Sequence, residues 1–282
     1  MNYRISLSRS EKVMRYVGLA VIIVLALMFL MPLYWMITGS FKILSDTMKV
    51  PPEWFPSSPT LQNYKTLFTV NPTWRWLFNS VFMSAMVAVG AIITSVMAGY
   101  AFGKKVFPGR NILFWLLLMT MMLPNQVLVI PLFIMISDFG WTNSYLGLIM
   151  PFIAYPMGVF LVKQFMGSIP NELIEAARID GAGEIRVFLR VIVPLSKPSI
   201  AALGIFAFVY SWNEYLWQLV VVDRPDMLTL PVAISKLAYG MSSINLGLAM
   251  AGATVAFIPM LLFFLAFQRF FIKGLTVGSL KG

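Results

Sequence analysis

Six predominantly apolar runs, each close to twenty residues, divide this chain near 14–37, 80–102, 112–136, 145–166, 199–221 and 247–268. About 30 Å of hydrocarbon is crossed by about twenty helical residues at ~1.5 Å each, and a backbone in lipid must satisfy its own N–H and C=O groups. The pattern predicts an all-α, polytopic membrane protein with six transmembrane helices, a single domain over 1–282. The first run lacks a small-residue cleavage site of the A-x-A kind at its end, so it reads as a retained helix rather than a signal peptide. A hydrophobic content of 59% against 11% charged residues, with mean hydropathy +0.82, fits a chain made for lipid.

Orientation follows from where positive charge sits, because cytoplasmic connections carry the excess of Lys and Arg. The N-terminus holds Arg4, Arg9, Lys12 and Arg15, and the second connection holds Lys104, Lys105 and Arg110. The fourth holds Arg178, Arg186, Arg190 and Lys197, and the C-terminus Arg269, Lys273 and Lys281. By contrast, the third connection, around Asp138, has no Lys or Arg, and the fifth, from Asp223 to Lys236, balances its charges. Both termini are therefore expected in the cytoplasm, with the long first connection, Phe41 to Phe78, outside. The same distribution accounts for the net charge of +10 and argues against a nucleic-acid partner, since the charge caps apolar runs instead of forming one basic face.

The chemistry open to the chain is narrow. It has no Cys and no His, which removes disulfides, thiolate metal sites, the commonest metal ligand and the usual proton shuttle. No G-x-x-x-x-G-K-[ST] phosphate loop occurs, so ATP is not bound by that route. We expect no catalytic residue, metal or cofactor in this chain. Glu214, with Asn213 beside it, is the ionisable residue well inside an expected span, which gives an ion-coupled carrier or channel thin support.

Small residues mark close packing faces. Ala91, Ser95 and Gly99 repeat every four positions in the second run, and Gly247 with Ala251 and Gly252 with Ala256 do the same in the sixth.

The connection 168–198 is unusual: six charged residues fall between Glu175 and Arg190. Ser168 and Pro170 signal a helix start and Gly181 a stop, with Ile169, Leu173, Ala176 and Ala177 on one face. Ile185, Phe188, Leu189 and Ile192 form the stripe of a second amphipathic helix that Pro194 is expected to end. Such a pair suits either membrane lipids or a protein cleft; alanines and a glycine bury poorly in lipid and fit well against protein.

Glu175, Ala176, Ala177 and Gly181, with Val191 and Pro194 beyond, resemble the EAA loop of permease subunits of binding-protein-dependent ABC importers. The fuller EAARIDGA and PLSKP segments are similar to the carbohydrate-importing, maltose-permease-like branch, and so are PLYWMITGSFK, LPNQVLVIPLF, SWNEYLW and QRFFIKGLTVGSLKG. Val191 stands where the pattern often has Ile. The resemblance covers about 250 residues and implies a type I ABC importer transmembrane domain in a bacterial inner membrane.

What it implies for function is half of a translocation pathway for a sugar or oligosaccharide, or alternatively for glycerol 3-phosphate or another polyol compound. Implied partners are a second, non-identical permease, two ATP-binding subunits that hold ATP and Mg, and an extracytoplasmic substrate-binding protein. The implied coupling residues are Glu172, Leu173, Glu175, Ala176, Ala177, Arg178, Asp180 and Gly181. Trp212, Asn213, Glu214 and Tyr215 have two readings, as pathway residues that bind or stack on sugar, or as polar fasteners between helices. Asn125 and Gln126, after Pro124, read as partners of a proline kink or as a binding site. The C-terminal Gly274, Gly278, Lys281 and Gly282 read as a frayed tail or as a docking tail for the ATPase.

Overall fold

The computed structural model describes residues 9–238 and 245–276. Its α-helices, in order, are α1 (Arg9–Ser40), α2 (Leu44–Thr47), α3 (Gln62–Thr69), α4 (Thr73–Lys104), α5 (Arg110–Thr120), α6 (Asn125–Asp138), α7 (Tyr145–Ile149), α8 (Pro156–Gly167), α9 (Glu172–Ile179), α10 (Glu184–Val187), α11 (Val193–Leu195), α12 (Lys197–Asn213), α13 (Leu216–Val221), α14 (Leu230–Ala238) and α15 (Leu246–Thr276). A 3-10 turn, Met150–Phe152, follows α7, and a π-helical turn, Phe188–Ile192, joins α10 to α11. Among the described residues there is no strand.

By length and composition, α1, α4 and α15 are each apolar enough to cross a membrane, and three bent pairs raise the number of candidate spans to six. The pair α5 with α6 bends by 99°, Tyr145–Phe152 with α8 by 42°, and Glu184–Leu195 with α12 by 76°. Prolines account for the breaks. Pro124 precedes α6 in an extended conformation, Pro151 and Pro156 flank the second break, and Pro194 and Pro198 the third. A ring that removes an N–H and crowds the preceding turn favours such corners. In the third pair, the limb with Glu184, Arg186 and Arg190 is the charged connection and α12 the apolar limb.

Three expectations need correction. The fourth run is not one helix but α7, a 3-10 turn and α8. The fifth is also broken: α12 ends at Asn213, Glu214 is extended at ψ 123°, and α13 restarts at Leu216. Pro194 does not end the amphipathic helix, which continues to Leu195, because a proline near the start of a new turn has no N–H to lose.

Among the described residues, the backbone groups into two compact units, one formed by residues up to Asn71 with those of Ser235–Val255, the other by Pro72–Ile234 with those from Ala256 onward. In the first unit Asn63 ties off the end of α1, its amide donating to the carbonyls of Ser40 and Lys42 at 2.9 Å each. A side chain on Gly247 would collide with that amide, since a Cβ there would lie 2.8 Å from Asn63 Nδ2. The apolar side chains of α1 from Val17 to Leu30 are mostly exposed, as a helix solvated by lipid requires.

In the second unit α4 packs along α8 and α12. The Ala91, Ser95 and Gly99 face is where α8 approaches: a Cβ on Gly99 would come within 2.7 Å of Val162 Cγ1 and 3.1 Å of the Lys163 nitrogen. Carbonyls freed by the break before α8 find donors on the same face, Thr94 Oγ1 to Ile153 O at 2.5 Å and Ser95 Oγ to Tyr155 O at 3.3 Å. Small hydroxyl residues thus let two backbones meet and also satisfy the broken one.

Candidate functional site

Three of the helix breaks, between α5 and α6, before α8, and between α12 and α13, open onto one cavity of about 510 Å³. Its polar lining comes from Thr120, Asn125, Gln126, Tyr155, Tyr210 and Glu214, and its aromatic walls include Phe152 and Trp217. Asn125, at the first position of α6, donates its side-chain N–H to the Tyr210 hydroxyl at 2.8 Å. Tyr210 in turn lies 5.7 Å from the Tyr155 ring and 6.0 Å from Phe152, centroid to centroid. Glu214 accepts the backbone N–H of Trp217 at 3.0 Å, so the carboxylate satisfies one of the free donors at the start of α13. The Trp217 indole N–H donates to the Gly147 carbonyl at 3.0 Å, which fixes the ring as a wall. The result is a half-open apolar pocket with convergent amide, phenol and carboxylate groups, of the kind that binds a polar small molecule with a carbon skeleton.

The structure therefore brings Asn125, Gln126 and Glu214 together and leaves their three companions elsewhere. Trp212 is buried, its ring 6.0 Å from that of Phe208, which stacks on Phe263 at 4.2 Å. Asn213 is exposed and donates to the Val209 carbonyl one turn back at 2.8 Å. Tyr215 is exposed and does not line the cavity. Tyr155, Tyr210 and Trp217 were not singled out from sequence, because aromatic residues in an apolar run look the same whether they face lipid, core or cavity. Lys163, near the end of the fourth expected span, lies with its Nζ 4.7 Å from the Phe114 ring centroid and outside the cavity lining.

The second candidate site is the connection 168–198. Helix α9 covers Glu172 to Ile179, a start four residues later than Ser168. It closes with Gly181 at φ +76°, the Ala182 N–H bonding the Ala177 carbonyl at 2.9 Å and the Gly181 N–H that of Arg178 at 3.0 Å, a Schellman end that favours glycine. The expected contact face is shifted. Ile169 and Ile174 are buried and Ala177 half-buried in a core with Val96, Tyr100, Val162, Met166, Val187 and Ile192, whereas Leu173 and Ala176 face out with Glu172, Glu175, Arg178 and Asp180. The second stripe is shifted too: Val187 and Ile192 are buried, while Ile185 and Leu189 are exposed. The π turn explains it, since i to i+5 hydrogen bonding aligns residues five apart on one face.

Polar groups on α4 and just past its end bracket α9. On its N-terminal side Lys104 donates to the Ile169 carbonyl and, at 2.8 Å, to Asn171 Oδ1. Beyond its C-terminus, Tyr100 Oη and Lys105 Nζ donate to Glu184 Oε1, and Arg178 Nη2 to Oε2 at 3.2 Å. The hydrogen bonds from Lys105 and then Tyr100 hold the Glu184 carboxyl down at about 2, outweighing burial, with Arg178 adding to the effect. Sequence reading missed Glu184 because its partners stand about 80 residues upstream. Of the tail residues, Gly274 lies within α15, which runs past the expected end of the sixth span, and Gly278, Lys281 and Gly282 lie outside the described residues.

Helices bent at prolines around a polar-lined cavity, with charged connections at their ends, define a polytopic α-helical membrane transporter. Residues 91–277 match the family of binding-protein-dependent transport system inner membrane components, and the chain belongs to that family. It is 37% identical over 261 residues to the arabinooligosaccharides transport system permease protein AraQ of Halalkalibacterium halodurans, covering 92% of this chain and 93% of that one. To the AraQ protein of Bacillus subtilis it is 36% identical, covering 92% of both chains. To the sn-glycerol-3-phosphate transport system permease protein UgpE of Salmonella typhi it is 35% identical over 270 residues, covering 93% and 94%. In fold it is similar to a chain in the crystal structure of a bacterial ABC transporter involved in the import of the acidic polysaccharide alginate, with TM-score 0.82, 22% identity, and 94% and 99% of the two chains covered.

Proposed function

We propose that this chain forms half of the translocation pathway of an ATP-driven importer for a neutral sugar or oligosaccharide, delivered by an external binding protein. The cavity lining is the observation that carries the substrate class. Its polar groups are amides, phenols, the Thr120 hydroxyl and one carboxylate, with no Lys or Arg among them, beside the Phe152 and Trp217 rings. Sugar hydroxyls suit carboxylate and amide acceptors, and a pyranose face suits an aromatic wall. A phosphate-bearing solute such as the one named for UgpE calls for cationic donors that this lining lacks.

In this reading both termini and the connection 168–198 are cytoplasmic, as the Lys and Arg distribution supports. Helix α9 is the coupling helix: its outward Glu172, Leu173, Glu175, Ala176, Arg178 and Asp180 dock on one of two ATP-hydrolysing subunits, which hold ATP and Mg. Gly181 lets the chain turn away behind it, and Ala177 seats the helix on its own subunit. A second, non-identical permease completes the pathway. ATP binding closes the motor subunits, moves the docked helices, and rocks the spans between inward and outward states.

The experiment is to purify the complex and measure which solute, delivered by its binding protein, stimulates ATP hydrolysis. Stimulation by neutral saccharides supports the proposal, and stimulation by a phosphorylated polyol alone replaces it with the glycerol 3-phosphate reading.

A further inference from the structure

We propose that Lys104, the last residue of α4, and Lys105 just beyond it, acting with Tyr100 through Asn171 and Glu184, are positioning residues that make α4 the receiver of coupling-helix motion. The inference rests on the reading of α9 as the coupling helix. A helix pushed by a motor transmits force only where it is held against another rigid element. A connection held by apolar contact alone can slide, since such contact has no direction.

The geometry around α9 supplies directional ties on both sides. Lys104 grips the approach to the helix through the Ile169 carbonyl and the Asn171 side chain, and Lys105 grips the segment beyond it through Glu184. Tyr100, one turn earlier on α4, shares that carboxylate, and Arg178 of α9 itself reaches the other oxygen across the Gly181 turn. Between the two grips Ile174 is buried in the cluster that contains Val96 and Tyr100 of α4. Polar ties on the segments at both ends of α9 and an apolar anchor at Ile174 couple its position to α4. Helix α4 then carries the motion along its Gly99 face to α8, whose first turn follows Tyr155 at the cavity wall.

Glu184 is the member whose removal separates the ties from the docking surface, because it lies outside α9. The test uses the assembled complex in proteoliposomes with Glu184→Gln and reads solute transported per ATP hydrolysed. A Leu173→Cys probe on the outer face of α9 reports cross-linking to the ATPase. The expected result is a cross-link as in the unsubstituted complex, with the transport-to-hydrolysis ratio down about tenfold, within the usual range of coupling energies. Glu184→Asp, which keeps the charge, should recover part of the ratio. A merely structural role would lower assembly, and with it transport and hydrolysis in proportion.

Should Glu184→Gln fail to assemble, the double variant Lys105→Met with Tyr100→Phe removes the α4 side of the grip, with the same loss expected. A ratio within about twofold of the unsubstituted complex, with the cross-link intact, overturns the proposal and leaves the coupling reading standing. Absence of the cross-link in the unsubstituted background overturns both.

Discussion

Asn125 donates its side-chain N–H to the Tyr210 hydroxyl at 2.8 Å, which joins the start of α6 to α12 across 85 residues of sequence at the wall of the cavity. The bond holds open the corner where α5 and α6 turn through 99°, and it leaves the Asn125 carbonyl oxygen and the Tyr210 proton for a ligand. Asn125→Ala should therefore raise the solute concentration for half-maximal transport about two- to tenfold, the worth of one neutral hydrogen bond, with assembly unchanged. Transport titrations in proteoliposomes check this.

Glu214 lines the cavity and accepts the Trp217 N–H at the restart of α13, a bond within its own span and not one to a neighbouring helix. Glutamine keeps an oxygen for the Trp217 N–H. Glu214→Gln should thus assemble normally and bind solute more weakly, whereas Glu214→Ala should also lose about 1 kcal/mol of stability with the cap. Thermal unfolding of the purified complex separates the two variants. If Glu214→Gln leaves apparent affinity unchanged, Glu214 serves only to cap α13.

The approach of α4 to α8 leaves no room at Gly99, where a Cβ would lie 2.7 Å from Val162 Cγ1. Gly99→Val should cost about 1–3 kcal/mol through overpacking. Because the misfit falls on the face that carries motion, transport should drop in the complexes that still assemble. A paired Val162→Ala should recover part of the lost thermal stability.

Ionisation of Glu184 has a definite sign. Its carboxyl is held at about 2 in the folded protein against an ordinary 4.5, so its ties stabilise fully above the ordinary value and are lost as pH falls toward about 2. The difference in unfolding midpoint between the unsubstituted complex and Glu184→Gln should be flat from about pH 5.5 to 8 and shrink below about pH 4.5. A difference that changes across neutral pH would contradict the cluster as described.

Much of the architecture was legible because lipid imposes a single length and a single periodicity on every span. The small-residue face at Ala91, Ser95 and Gly99 could be read for the same reason, as close approach leaves a compositional mark. The kink at Pro124 was legible too, whereas the breaking of the fourth and fifth spans escaped. Hydropathy counts Pro151 and Pro156 as unremarkable members of an apolar run, and it does not register that Glu214 with ψ 123° ends one helix and caps the next. The outer face of α9 was misjudged because the burial of Ile174 and Ala177 depends on α4, which sequence periodicity cannot weigh. Glu184 escaped for a similar reason: local charge pattern shows Arg178 six residues away but not Tyr100 and Lys105.

The central claim is that α9 touches the motor that drives transport, and the chain's lack of cysteine allows it to be tested with a single introduced thiol. With Leu173→Cys in the purified complex, a short bifunctional reagent should link this subunit to the ATP-hydrolysing subunit, and the yield should change when ATP is bound. Labelling of the same cysteine by an impermeant thiol reagent from the external face of intact cells, with no link to any nucleotide-hydrolysing protein, would contradict the account.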